Sequence, residues 1–506
     1  MKPSKLLSVI WIIALAAGLS AQDSFSAELT SGPSEIERAQ VSIAGPEEFQ
    51  NIKQAKILTL KQCIDVAIKN NLPLKTAKKS LKLAQWRLWE SRRNMLPKVG
   101  LKMEEYTGKI YGRRFYGRKQ SVDLQQTVFH GGEFVFTMMQ AQTNVKIVDK
   151  EYARIKNELI LQVKKGYYTL AKAKENFKMQ KELSREVSRI QEMVVKEFDA
   201  GLTSNLELLN VNSQMNQIRF QFKSATGDAE VAALILKQAM NIDAGEPIDI
   251  DAKLEFVKRD VDFSDILADA LIHKPEMQIN SLMITYYMYE TKVARAKNWP
   301  KIELLGSWGL AKEQFIAKDM DTTDDVEDLA PQWYGGVKVG IPIWGSTGEY
   351  SYTKEHWVPV VSAVHGTETI TNSYKFNFLD DLAQYSAKYS ADVDLSRARQ
   401  ELIKVKQATV LEAKESCFSY EKALLQLETA INKVKYQEAD LELIKFRRQM
   451  EEAQDSNVIE SMIKLAQEKF GHVQALSECN IALASISKAV GIPNYFNDEV
   501  ETNNRK

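Results

Sequence analysis

The feature that most constrains this chain is an apolar stripe that holds one helical period for far longer than a compact domain can use. Between Glu133 and about Phe198, apolar or small residues fall at Val148, Tyr152, Ile155, Leu159, Val163 and Tyr167, and the stripe resumes at Leu183, Val187, Ile190 and Val194. The mean step is about 3.6 residues, the period of a straight α-helix. About 65 residues at ~1.5 Å each make a rod of roughly 100 Å. A rod of that length predicts a coiled coil or a wall rather than the core helix of a globule. It breaks at Asp199-Ala200-Gly201-Leu202-Thr203-Ser204. Gly201 suits a helix C-terminus, and Ser204 followed by Glu207 reads as a capping box. A second long helix then returns from Leu206 to about Met240.

Ahead of the rod the elements are shorter. Leu58-Thr59-Leu60 opens a helix with Thr59 as N-cap, Asn70-Asn71 breaks it, and Pro73 opens a second helix. That helix stops before Pro97, because the residue ahead of a proline avoids helical geometry. The period then becomes two: Val99, Leu101 and Met103 alternate with polar residues and glycine, as do Val122, Leu124 and Val128 after an intervening loop from Thr107 to Lys119. Two strands forming a β-hairpin over about 98–129 are expected.

The same plan starts again after a linker at 241–262. A short helix from Phe263 to His273 is followed by Pro275 where Pro73 stood, and Asn298-Trp299-Pro300-Lys301 echoes Asn94 and Leu96-Pro97-Lys98. A second β-hairpin over about 301–344 and a second long helical hairpin over about 380–490 complete the copy. A repeat of about 200 residues is too long for a solenoid unit and reads as a duplication, with a first repeat at 58–240, a second at 263–493 and a tail at 494–506. The copies differ in three places. The second strand loop is acidic (Asp319, Asp321, Asp324, Asp325, Glu327, Asp328) where the first is basic. An insertion over about 349–381 follows the second hairpin. The second helical turn lacks a glycine, with Ala453 standing about where Gly201 would align.

Composition narrows the class. The 67 basic and 67 acidic residues cancel, so no polyelectrolyte character points to nucleic acid. Lys2 and Lys5 precede an apolar run, Leu6 to Leu19, that ends in small residues, which predicts a secretory signal peptide over 1–21 and an extended N-terminal segment over 22–57. The run is short for a bilayer core of ~30 Å, and no later stretch is apolar enough to span one as a helix. Cys63, Cys417 and Cys479 are far apart in helical patterns and read as buried small hydrophobes. The five histidines are scattered, and no HExxH, GxSxG, GxGxxG or phosphate-binding loop is present, so neither catalysis nor a metal or other cofactor is expected.

An exported chain can still enter a membrane as a closed β-barrel, but four strands cannot close one and an open edge does not survive in lipid. Copies must pool their strands, and three chains of four would make twelve. Aromatic residues at the strand ends, among them Tyr106, Tyr111, Phe115, Trp299, Trp333 and Trp344, suit the girdles of an outer-membrane barrel.

The order of these motifs, twice over, resembles the TolC-like outer membrane efflux protein family across nearly all of the mature chain. The residues that carry the resemblance are Leu58-Thr59-Leu60, the strand starts at Pro97 and Pro300, Val128-Phe129-His130-Gly131-Gly132, and Phe198-Asp199-Ala200-Gly201-Leu202-Thr203-Ser204. The resemblance implies a mostly α fold with a small β part, assembled as a homotrimer with a 12-stranded barrel in the outer membrane and a 12-helix tunnel in the periplasm. It implies a passive conduit, a channel-tunnel subunit of a tripartite efflux or type I secretion system. Its partners would be outer-membrane lipid, a periplasmic adaptor (membrane fusion) protein and an inner-membrane pump. The acidic residues of the second turn, Asp455, Glu460, Glu451 and Glu452, are the candidate periplasmic gate, since threefold symmetry would make rings of them. Gly201, Leu202, Thr203 and Ser204, with Ser456 and Asn457, are the candidate adaptor-docking tips. The competing reading is a periplasmic coiled-coil adaptor or structural protein without a membrane barrel, which leaves the paired strands unexplained.

Overall fold

The computed structural model describes residues 56–251, 254–315, 329–357 and 366–496. The expected signal peptide, the N-terminal segment up to residue 55, the acidic residues of the second strand loop and the end of the tail lie outside the described residues.

The chain runs β1 (Lys56–Leu58), α1 (Leu60–Asn70), α2 (Leu72–Arg93), β2 (Lys98–Ile110), β3 (Arg113–His130), α3 (Glu133–Asp199) and α4 (Asn205–Met240). It continues with β4 (Ile248–Ile250), α5 (Phe263–His273), α6 (Pro275–Ala296), β5 (Lys301–Phe315), β6 (Ala330–Ile343), β7 (Ser346–Trp357), β8 (Thr367–Asn377), α7 (Ala383–Gln449) and α8 (Asp455–Val490). Helix lengths match between the halves: 11 residues for α1 and α5, 22 for α2 and α6, 67 for α3 and α7, and 36 for α4 and α8. None of the described helices is long and apolar enough to cross a membrane.

Local chemistry accounts for most element ends. Thr59 accepts from the Gln62 amide at 3.4 Å while the Gln62 side chain accepts from the Thr59 amide at 3.1 Å, a complete capping box. Gly131 and Gly132 turn the chain from β3 into α3 with φ of +57° and +82°. A Cβ on Gly131 would lie 2.5 Å from the Ala296 carbonyl oxygen, so both backbone angle and space require glycine there.

The strands depart from the sequence expectation in number and length. Among the described residues the main sheet has six antiparallel strands, in the order β2-β3-β5-β6-β7-β8, not four. The stretch from Thr107 to Lys119, expected as a loop, is paired strand closed by a two-residue turn at Tyr111-Gly112, both at positive φ. Trp344-Gly345 forms the same kind of turn and leads into a further hairpin. The expected insertion over 349–381 is therefore mostly β7 and β8. Nothing in the first repeat corresponds to this hairpin. The four strands per chain expected from the sequence are therefore six among the described residues. The linker at 241–262 also holds a short strand, β4, which pairs in parallel with β1.

The sheet has two unlike faces. One register row, Phe129, Ile302, Val339, Tyr350 and Tyr374, crosses five strands with apolar or aromatic side chains. A row on the opposite face, Gly100, Asp123, Ser307, Tyr334, Glu355 and Thr369, crosses all six and is mostly polar. Ser307 donates to Asp123 there at 2.7 Å. Aromatic pairs sit at opposite strand ends: Tyr106 against Phe115 near the β2–β3 turn, and Phe129 against Trp299 near the helices.

Helix packing buries a separate core along each level of the long hairpins. Leu159, Val163, Leu170, Leu236 and Met240 pack with Cys63 in the first repeat, and Ile266, Cys417, Tyr420, Ile486 and Val490 pack in the second. All three cysteines are free and buried, and burial pushes the Cys63 and Cys479 thiols up to about 11. Near the turns a third cluster joins the two hairpins, with Val187, Val194, Val211 and Ile218 meeting Val458, Ile459 and Met462. Burying each such side chain contributes about 1.5–3 kcal/mol.

Candidate functional site

The turns between the long helices bring together the largest set of candidate residues. In the first turn α3 ends with Gly201 at φ +75°, and the Gly201 and Leu202 amides donate to the Phe198 and Glu197 carbonyls at 2.9 and 2.8 Å. This paired closure satisfies carbonyls that the helix end would otherwise leave open. Ser204 caps α4, accepting from the Glu207 amide at 3.2 Å.

The second turn closes the same way without glycine. Glu451 takes the left-handed position, at φ +63°, and the Glu451 and Glu452 amides donate to the Arg448 and Arg447 carbonyls at 3.1 and 2.9 Å. The equivalent of Gly201 is therefore Glu451 rather than Ala453. The second helix of this hairpin starts at Asp455. Its N-cap, Gln454, makes no side-chain cap.

The first turn supplies what the second lacks. Glu207 does not return to Ser204, so the expected capping box is half formed. Its buried carboxylate instead reaches the other hairpin, accepting from the Ser456 amide at 2.7 Å and the Ser456 hydroxyl at 2.8 Å. Arg448 makes a second tie. Its guanidinium donates to both oxygens of Asp455, at 2.9 and 2.8 Å, and to Glu197 of α3 at 3.3 Å. The hydrogen bonds to Asp455, more than those to Glu197, hold the Arg448 pKa above its ordinary value.

The candidate acids thus have different surroundings. Asp455 is buried and paired with Arg448, and Glu460 is exposed and paired with Lys464 at 2.7 Å. Glu451 and Glu452 lie exposed on the turn itself. Of the candidate docking residues, Gly201, Leu202, Ser204 and Asn457 are exposed, Thr203 is half-buried, and Ser456 is buried against Glu207. The exposed side chains of Leu202, Leu206 and Leu209 lie on and just after the first turn. Sequence reasoning missed Arg448. Its only signal was the seven-residue spacing to Asp455, which has meaning only once the turn between them is known.

Away from the turns, Glu412 of α7 is held between two lysines, Lys274 at the start of α6 and Lys488 of α8, the latter at 2.5 Å. Lys274 is itself buried. Burial raises the Glu412 pKa, but the two ammonium groups outweigh it and leave the carboxyl below its usual range. Among the described histidines, His130 pairs with Glu133 and His356 stacks on Trp333. No group of three potential metal ligands occurs among the described residues.

Residues 63–241 match the family model described as outer membrane efflux protein. The outer membrane protein TolC of Vibrio cholerae is 20% identical over 306 residues, covering 59% of this chain and 66% of that protein, just under two thirds of the relative's length. The Campylobacter jejuni CmeC outer membrane channel superposes with a TM-score of 0.69 at 18% identity, covering 85% of both chains. The MtrE outer membrane channel of Neisseria gonorrhoeae, solved in an open state, gives a TM-score of 0.65 at 14% identity over 86% of this chain and 89% of its own. Residues 63–241 are thus similar to the outer membrane efflux protein family, and the described residues share the fold of these outer membrane channels.

Proposed function

We propose that this protein is a subunit of a homotrimeric outer-membrane channel, a passive conduit through which an inner-membrane pump and a periplasmic adaptor export cargo. The observation that carries this reading is the main sheet. It has one apolar face, one polar face and, among the described residues, two unpaired edges, a combination that lipid tolerates only after closure with further strands. The helices argue the same way. Ile403, Leu411, Phe418, Leu425, Tyr436 and Leu443 leave an exposed stripe along α7 at near-helical spacing, the seam a neighbouring helix would cover.

In this reading the helical turns form the periplasmic end. Exposed Leu202, Leu206 and Leu209 offer an adaptor an apolar anchor, with Gly201, Thr203, Ser204 and Asn457 around it. Arg448 with Asp455 and Glu197, and Glu207 with Ser456, tie the two hairpins of one chain and hold the end narrow. Glu451 and Glu452 are then the acids free to line the entrance, with Glu460 beside them, and they favour cations there. No step of bond chemistry is involved, in keeping with a family of channels rather than enzymes.

The test is fractionation of the full-length protein expressed with its own N-terminus. It should separate with outer membranes, need detergent for extraction, and run as a trimer after mild cross-linking. A protein released to the periplasm without detergent would overturn this reading and favour the adaptor alternative.

A further inference from the structure

We propose that three copies close a barrel of eighteen strands rather than twelve, each chain giving six, with β8 of one copy pairing along β2 of the next. The proposal rests on the trimeric reading above and goes beyond it in naming the seam.

The first argument is occupancy of edges. A strand has two, and β6 uses both. It pairs with β5 from Lys301↔Gly340 to Ala311↔Ala330, and with β7 from Trp333↔His356 to Ile343↔Ser346. A closure through β6 would have to break the β6–β7 ladder. Among the described residues, the free edges of the sheet belong to β2 and β8.

The second argument is that β7 and β8 are built like the other strands of the sheet. They are 12 and 11 residues long, against the ~9–11 residues a tilted strand needs to cross a bilayer. Their side chains sort onto the same two faces. Tyr350, Ile370, Tyr374 and Phe376 continue the apolar face, and Ile370, Tyr374 and Phe376 are exposed there. Ser351, Thr353, Thr369, Thr371 and Ser373 continue the polar one. Nearer the β7–β8 loop the apolar face gives way to Lys354 paired with Glu368 at 3.0 Å, as a rim at the headgroups would require.

Direction and edge chemistry also fit. Five successive antiparallel pairings leave β2 and β8 running in opposite directions, so β8 meets a neighbouring β2 in antiparallel fashion. Adding a whole hairpin preserves this alternation, whereas adding one strand would not. Neither Lys98–Ile110 nor Thr367–Asn377 contains proline, so neither edge lacks a backbone donor. Because barrel diameter grows roughly in proportion to strand number, the eighteen-stranded lumen would be about half as wide again as a twelve-stranded one. The protein would then be suited to cargo too bulky for the narrower barrel.

Cryo-electron microscopy of the full-length protein in lipid nanodiscs counts the strands directly. Eighteen supports the proposal, and any other count in a trimer overturns it while leaving the trimeric reading intact. Cysteine pairing in outer membranes locates the seam, with the three buried native cysteines replaced by alanine. Cysteines at Thr369, Thr371 or Ser373 should form intermolecular disulfides with cysteines at Gly100, Lys102 or Glu104. A cysteine at Lys338 of β6 should not. Links from Lys338 without links from β8, or a trimer with neither, would overturn the eighteen-stranded closure. A protein that remains monomeric in both experiments would overturn the trimeric reading as well.

Discussion

Removing the Glu207 carboxylate should loosen the second helical turn from the first by about 3 kcal/mol. Ser456 is only 2% exposed, and its amide is among the first four of α8, which have no acceptor within their own helix. Glu207 supplies that acceptor at 2.7 Å and takes the Ser456 hydroxyl at 2.8 Å. A hydrogen bond to a charged group contributes about 1.5–3 kcal/mol net, so two give about 3 kcal/mol at the low end of that range. At about 1.4 kcal/mol per tenfold, the local opening equilibrium should rise roughly a hundredfold in Glu207→Ala. Glu207→Gln keeps one acceptor oxygen and should show roughly a tenfold rise. Hydrogen exchange of the detergent-solubilised protein, followed in peptides covering 454–463, reads this directly, with the core around Val163 as internal reference. Protection within about threefold of wild type in both variants would refute the reasoning, because the amide would then be held by something other than Glu207.

Three further outcomes follow from the same structure. Arg448→Ala strips Asp455 and Glu197 of their shared partner; at about 1 kcal/mol for a partly exposed bidentate pair, open probability in single-channel recordings should rise about fivefold. Unchanged gating would remove Arg448 from the narrow end. Gly201→Ala should weaken the last turn of α3 by about 1 kcal/mol, while Glu451→Gly should strengthen the equivalent turn of α7 by a similar amount, both read by exchange of the turn amides. A Cβ at Gly201 meets nothing within 4 Å, so the first effect is purely one of backbone angle. Glu412→Gln should destabilise the helical region by about 3 kcal/mol, since it leaves the buried Lys274 ammonium poorly paired. The folded Glu412 pKa is lowered from the model-peptide value of 4.5, so its contribution is complete above that pH and is lost as pH falls through the lowered folded value. The gap in thermal midpoint between wild type and Glu412→Gln should hold steady above about pH 5 and shrink on acidification below it.

Much of this architecture was legible in the sequence because it rests on local signals. The 3.6-residue stripe of α3, the Thr59 and Ser204 caps, the proline at the start of α2 and α6, and the alternation at Val99 to Met103 each act within a few residues of themselves. Signals of that kind need no knowledge of what packs where. The β7–β8 hairpin carried an equally local alternation, Tyr350 and Tyr352 against Ser351 and Thr353, yet it was hidden by comparison with a first repeat that has no counterpart. The second turn was misplaced by two residues for a related reason. The second turn has no glycine to mark the left-handed position, and Glu451 rather than Ala453 holds it.

What the sequence determined alone was the set of elements: two long helical hairpins, their shorter leading helices, and strands with one apolar and one polar face. What only the tertiary structure decided was which partners those elements chose. Glu207 could cap its own helix or reach Ser456, and Arg448 could be one more solvated charge or the bridge between Asp455 and Glu197. Residues 249 and 251 positions apart meet in these two contacts. Their pairing depends on how α3, α4 and α8 pack at Val194, Val211 and Ile459, where every side chain is fully buried. A local pattern fixes a helix because its hydrogen bonds close within four residues, whereas the choice of a distant carboxylate is made by the packing that brings it within 3 Å.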